Sequence, residues 1–214
     1  MSARQQTVAL LRSLSPLEGY NLSPLDDIRF LRSNRPLTLT PVLYEPGIVI
    51  LCQGCKRGYL GDDVYIYDAQ HYLVVSVPVP FTMETDASED EPMFAVYMRL
   101  DFKLAGELIL EIDERFGPTA APPKGMYSSP MDDTLRESTL RFLAAMSHPV
   151  DAQILGPSLV REIYYRIIAG EQGGSEGEPW AGALPLTAPP SGHASPRDWR
   201  RRCWSLARAA ASGA

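Results

Sequence analysis

Two textures in one chain predict an α+β fold, an antiparallel β-barrel followed by a small α-helical region. Residues 37 to 101 break into short runs rich in Val, Ile, Tyr and Leu, parted by turn signals at the close spacing of an antiparallel sandwich or barrel. Beyond Asp101 the apolar residues recur at helical period instead. A third observation bounds the folded body. After Gln172 the composition shifts to Gly, Pro, Ala and Ser, which fill 25 of the last 42 positions and leave too little apolar surface to offset the entropy of ordering.

The elements follow in order. Residues 1–36 are a lead-in holding an amphipathic helix from Gln5 to Leu14, stopped by Pro16 and Gly19. Residues 37–101 supply the barrel strands Leu37 to Glu45, Ile48 to Cys52, Gly58 to Leu60, Val64 to Tyr67, Tyr72 to Val77, Phe81 to Thr85 and Phe94 to Leu100. Their turns fall at Pro46-Gly47, Gln53-Gly54, Gly61-Asp62, Asp68-Ala69 and the acidic run after Asp86. Residues 102–172 form the helical region, expected to serve dimerisation or linkage. Its first helix has Asp101 as N-cap and Leu104, Leu108, Ile112 and Phe116 at four-residue intervals, and Gly117-Pro118 ends it. A second helix starts near Met131 to Thr134 and carries Leu135, Thr139, Phe142, Leu143 and Met146 on one stripe. The third has Pro157 early and stops at Gly170 to Gly174. Residues 173–214 are expected to be disordered.

Composition excludes several function classes. At 214 residues, 45% hydrophobic and 21% charged, the chain is neither disordered throughout nor fibrous. Its longest nearly uncharged apolar stretch, Tyr72 to Phe81, is too short to span a bilayer. Val8 to Leu11 is too short for the apolar region of a secretory signal, so a cytoplasmic location is expected. Three cysteines cannot make a disulfide framework. Residues 1–172 hold 15 Lys+Arg against 23 Asp+Glu, a net of −8 that argues against a nucleic-acid surface on the body.

Cys52-Gln53-Gly54-Cys55 has the spacing of half a zinc knuckle, but no second CxxC or CxxH pair completes a four-ligand site. The segment therefore reads as strand and turn. His71, His148 and His193 are scattered, whereas a metal-dependent barrel enzyme would group two histidines as HxH, so no metal and no cofactor are expected. The acids Glu84, Asp86, Glu89, Asp90 and Glu91 read as a solvated hairpin loop. There is no GxSxG elbow, since the string Gly173-Gly174-Ser175-Glu176-Gly177 opens the Gly- and Ser-rich tail with no strand before it; GxxxxGK[ST], GxGxxG and HExxH do not occur, and no catalytic residue is assigned. Tyrosines carry more weight. Tyr65 and Tyr67 share one face of a strand, and Tyr44, Tyr97 and Arg99 fall on a similar face of neighbouring strands. With His71 as a further candidate, they predict a barrel interior that orients a small organic ligand through polar tips on apolar bodies.

Taken in order, Glu18-Gly19-Tyr20-Asn21, Leu39-Thr40-Pro41-Val42-Leu43-Tyr44-Glu45-Pro46, Gln53-Gly54-Cys55-Lys56, Leu60-Gly61, Tyr67-Asp68-Ala69-Gln70-His71-Tyr72-Leu73, Ser76-Val77-Pro78-Val79-Pro80 and Arg99-Leu100-Asp101 resemble the N-terminal domain of AraC-type transcriptional regulators. The resemblance implies a cupin-like jelly-roll barrel that senses a small-molecule effector and dimerises, with itself or with a full-length regulator. It also implies DNA binding through a C-terminal helix-turn-helix domain. Residues 173–214 depart from that pattern and are too few for two helix-turn-helix units. A truncated, non-enzymatic sensor with a non-family tail from a reading-frame change near Gly174 is therefore expected. The alternative is a small cupin-fold enzyme acting on a compact organic substrate.

Overall fold

A computed structural model describes residues 1–117 and 125–172. The expectations for residues 173–214, with Cys203 and His193 among them, lie outside the described residues. Fifteen elements follow one another: α1 (Ala3–Leu14), β1 (Gly19–Leu22), β2 (Ile28–Ser33), β3 (Leu37–Tyr44), β4 (Gly47–Gln53), β5 (Cys55–Leu60), β6 (Asp63–Asp68), β7 (His71–Val75), β8 (Val79–Asp86), β9 (Met93–Arg99), α2 (Phe102–Phe116), β10 (Met126–Pro130), α3 (Asp133–Met146), α4 (Pro149–Ile154) and α5 (Gly156–Gln172). The α+β class is as expected, two antiparallel sheets with helices against them. The sheets also draw on chain outside 37–101, through β1 and β2 before it and β10 after.

Six strands in the order β1-β2-β9-β4-β7-β10 make one sheet, and β3-β8-β5-β6 make the other. Every residue of β4 from Gly47 to Cys52 is buried, because alternate side chains go to opposite dry faces. Ile48 and Ile50 of β4 join Phe94, Val96 and Met98 of β9 and Tyr72 of β7 in a core covered by the helices. Val49 and Leu51 join Leu73, Ala95, Phe81 and Tyr67 in a second core between the sheets. The six-stranded sheet is thus the middle layer of three. Gly54, at φ +84°, turns the chain from one sheet into the other where a Cβ would come within 2.9 Å of Met93.

Capping explains where the helices begin. Ser2 and Gln5 form a capping box on α1, Asp101 accepts from the Lys103 and Leu104 N–H groups on α2, and Asp132 accepts from the Leu135 N–H on α3. The Tyr164 hydroxyl of α5 donates to the Arg99 carbonyl at 2.8 Å and accepts from the Asp101 N–H at 2.9 Å, tying α5 to the end of β9 and the start of α2. Leu108 and Ile112 of α2 are buried as the four-residue spacing predicts, but Phe116 is 79% exposed. Four-residue steps drift around a 3.6-residue helix, so the fourth member of the run leaves the core face. The apolar stripe of α3, with Phe142 and Leu143 fully buried, is consumed by the helix-side core.

Phe142→Ala should therefore cost about 3–5 kcal/mol of folding free energy. Urea unfolding should show this as a lower midpoint at unchanged slope.

Candidate functional site

The four-stranded sheet presents a row of polar groups to the interior. Lys56 of β5 lies opposite Thr85 of β8 and opposite Tyr67 of β6, so the three form a row across three strands. Directly opposed residues share a face, and all three are buried. Lys56 Nζ donates to Tyr44 Oη at 3.4 Å and approaches Met83 Sδ at 3.6 Å. Tyr44 and Tyr67 share a hydroxyl–hydroxyl bond of 3.0 Å. Burial pushes the Tyr67 phenol well above its ordinary value, and the neighbouring Tyr44 adds to the effect. It is a neutral hydrogen-bonding group at physiological pH.

Lys56, Thr85 and Met83 form the floor of a cavity of about 410 Å³ at the edge of the inter-sheet core, within the size range of small-molecule sites. Leu31 of β2, Leu37 of β3 and Met93 of β9 give it apolar walls. At the mouth Arg35 pairs with Glu18 at 3.2 Å, both exposed to water. Arg32 also lines the cavity, but its guanidinium is held by Asn34 Oδ1 at 2.8 Å and by the Ser15 and Pro16 carbonyls.

The residues singled out in the sequence fall into two groups. Tyr44 and Tyr67 reach the cavity floor through Lys56. Tyr65 and Tyr97 pack against the same inter-sheet core as partly buried side chains, and Tyr97 donates to the Pro46 carbonyl at 3.3 Å. His71 sits at the start of β7, with Nδ1 2.9 Å from Asp68 Oδ1. Arg99 ends β9 in solvent, 3.8 Å from both Asp27 and Glu45. None of the six predicted ligand-binding residues is among those that line the cavity, and His71 and Arg99 lie away from it. The tyrosine pattern did not point to Lys56 and Thr85. The available signal was parity, since Lys56 alternates with Cys55 and Arg57 and shares its face with Gly58.

Among the described residues, Cys52 and Cys55 do not share a site. Cys52 belongs to the helix-side core and Cys55 is buried on the other sheet. Burial pushes the Cys52 thiol up to about 12, where thiolate chemistry is suppressed. Among the described residues, no three His, Cys, Asp or Glu side chains gather as a metal would require. None of the described helices is long and apolar enough to cross a membrane.

Comparison with known proteins gives one family. The profile for the AraC-type transcriptional regulator N-terminus matches residues 24–175. No protein of curated function matches. Among solved structures, apo ToxT from Vibrio cholerae is similar at 8% identity and a TM-score of 0.49, over 73% of this chain and 58% of that one. Unsaturated fatty acid bound ToxT from Vibrio cholerae is similar at 11% identity and a TM-score of 0.41, over 72% and 56%. This chain therefore spans less than two thirds of either ToxT chain.

The His71–Asp68 contact has a measurable consequence. Burial alone would raise the Asp68 carboxyl, but hydrogen bonds from His71 and the Gln70 N–H outweigh it and hold the group below its ordinary value. A depressed carboxylate contributes stability that is present above its unfolded value, roughly pH 4, and is lost as pH falls through the folded one. Asp68→Asn should cost about 1 kcal/mol at neutral pH, and the gap from the parent should close below about pH 4 in urea melts across pH.

Proposed function

Because the chain belongs to the family of AraC-type transcriptional regulator N-termini, we propose that its body is the ligand-sensing and dimerisation part of a regulator, with the inter-sheet cavity as the effector site. The cavity carries the reading. It joins apolar walls to a floor that carries the Lys56 amine and the Thr85 hydroxyl, with Tyr44 and Tyr67 bonded in turn behind Lys56, groups that hold and orient a small molecule. The body is read as non-enzymatic, since the one imidazole–carboxylate pair among the described residues, His71 with Asp68, lies away from the cavity. It works in the cytoplasm, where a regulator meets its promoter. DNA contact is assigned to a separate helix-turn-helix domain, because the net of −8 over residues 1–172 opposes phosphate binding.

The outer face of α2 is the surface proposed for self-association, or for a mixed dimer with a full-length regulator. Phe102, Ile109 and Phe116 follow one another at seven-residue spacing and are all exposed, the pattern by which two helices bury a common seam. Ile109→Arg should shift the protein from dimer towards monomer at tens of micromolar in light scattering, with the fold intact by circular dichroism.

A panel of small metabolites tested by thermal unfolding should contain a compound that raises the midpoint by about 5 °C or more at saturating concentration. Tyr67→Phe should reduce that shift, since it removes the hydroxyl that holds Tyr44 against Lys56 while keeping the ring. A panel without any stabilising compound, together with turnover of one of its members, would overturn the sensor reading.

A further inference from the structure

We propose that the cavity is selective for a small carboxylate with an apolar body, its carboxylate set against the Lys56 amino group and the Thr85 hydroxyl. The inference rests on the sensor reading above and names the ligand class. Two observations on opposite strands carry it. Lys56 is 3% exposed, and its polar partners are a phenol and a thioether; no carboxylate among the described residues pairs with it. A buried amine without a counter-charge is costly, and proteins place one against an anion. Thr85 is 2% exposed, and its Oγ1 has no hydrogen-bond partner among the described residues. Buried hydroxyls are normally bonded, so this donor is free for a ligand.

The two groups are register partners on β5 and β8 and line the same cavity. A carboxylate between them can accept from the amine with one oxygen and from the hydroxyl with the other. This donor set is small. A phosphate or sulfate ester brings more oxygens and more charge, and ordinarily recruits several N–H donors or an arginine fork. The arginines of this cavity are already engaged, Arg35 by Glu18 and Arg32 by Asn34. Above the floor, Leu31, Leu37 and Met93 offer apolar contact, the Ser33 hydroxyl is already given to the Arg35 carbonyl and Tyr20 is largely exposed to water, which suits an aliphatic or aromatic body.

The test uses the full chain with decanoate and decan-1-ol as probes in isothermal titration calorimetry. Decanoate should saturate at one per chain, roughly tenfold to a hundredfold tighter than decan-1-ol. Lys56→Met keeps the length of the side chain and removes its charge. It should bring decanoate down to the level of decan-1-ol while leaving the thermal midpoint of the unliganded protein unchanged or higher, because a buried uncompensated charge has been removed. A purely structural Lys56 predicts the reverse, a lower midpoint with carboxylate preference retained. Should Lys56→Met fail to fold, Thr85→Val, nearly isosteric and free of the orphaned hydroxyl, should fold and weaken decanoate by about threefold to tenfold. Equal affinity for the two probes, or no saturable binding of decanoate at about 1 mM, overturns the carboxylate assignment. If decan-1-ol or an uncharged metabolite still saturates the site, the sensor reading survives that result. If nothing in the panel binds either, both readings fail.

Discussion

Everything in this molecule depends on one sheet being dry on both faces. Strands β4 and β9, paired from Gly47↔Arg99 to Gln53↔Phe94, carry apolar side chains at nearly every position. Such strands are stable only when both faces are covered, and the helices cover one while the four-stranded sheet covers the other. Gly47 shows how closely neighbouring strands of that sheet are filled, since a Cβ there would meet the Tyr97 ring of β9 at 2.5 Å. The helix layer is then held at its edge by Tyr164, whose hydroxyl bonds backbone groups on both sides of the junction between β9 and α2. Burial drives that phenol up to about 12, so the clasp keeps its proton across the physiological range.

The second sheet has a different assignment. Its outer face meets water, so its strands alternate, as in the buried odd positions of β8 from Val79 to Thr85. Alternation leaves only half of each strand to supply the inter-sheet core, and there the chain puts a lysine, a threonine and two tyrosines among Phe81, Met83 and Val79. Gly58, two residues from Lys56 on the same face, leaves room for the Phe81 ring, which a Cβ would approach to 2.6 Å. The polar row is therefore set in a tightly filled surround on one side and open to the cavity on the other. Stability alone would favour apolar side chains of similar volume at Lys56 and Thr85.

Strands with both hydrophobic content and flanking turn residues were legible in the sequence, which is why β3 through β9 lie close to the predicted spans, except that β5 begins at Cys55 and not at Gly58, so that Lys56 fell outside the expected strand. β1, β2 and β10 were not. Gly19–Leu22 is only four residues long and mostly exposed, and Ile28–Ser33 mixes arginines with apolar residues, the guanidinium groups of Arg29 and Arg32 reaching backbone carbonyls. Met126–Pro130 reads as a loop by its Ser128-Ser129-Pro130 run, and only pairing with β7 makes it a strand. Of the candidate site, Tyr44 and Tyr67 were visible because large amphipathic residues alternate. Lys56 was hidden because a lysine beside an arginine reads as solvated surface, and only cross-strand register reveals which of the two turns inward.

That alternation also connects the cavity to the helices. Leu31 and Met93 line the cavity, while Phe30 and Phe94, their neighbours in sequence, are fully buried on the opposite face under the helix layer. Phe94 lies under the guanidinium groups of Arg12 from α1 and Arg32 from β2. Consecutive residues of a strand are carried by one backbone and cannot shift independently, and close-packed interiors transmit displacement rather than absorb it. Leu31 and Met93 are in this way joined through β2 and β9 to Phe30 and Phe94. The helices rest on those side chains, and through Arg99, Asp101 and Tyr164 the end of β9 is fastened to α2 as well. The exposed face of α2 and the cavity therefore stand at two ends of one continuous set of contacts.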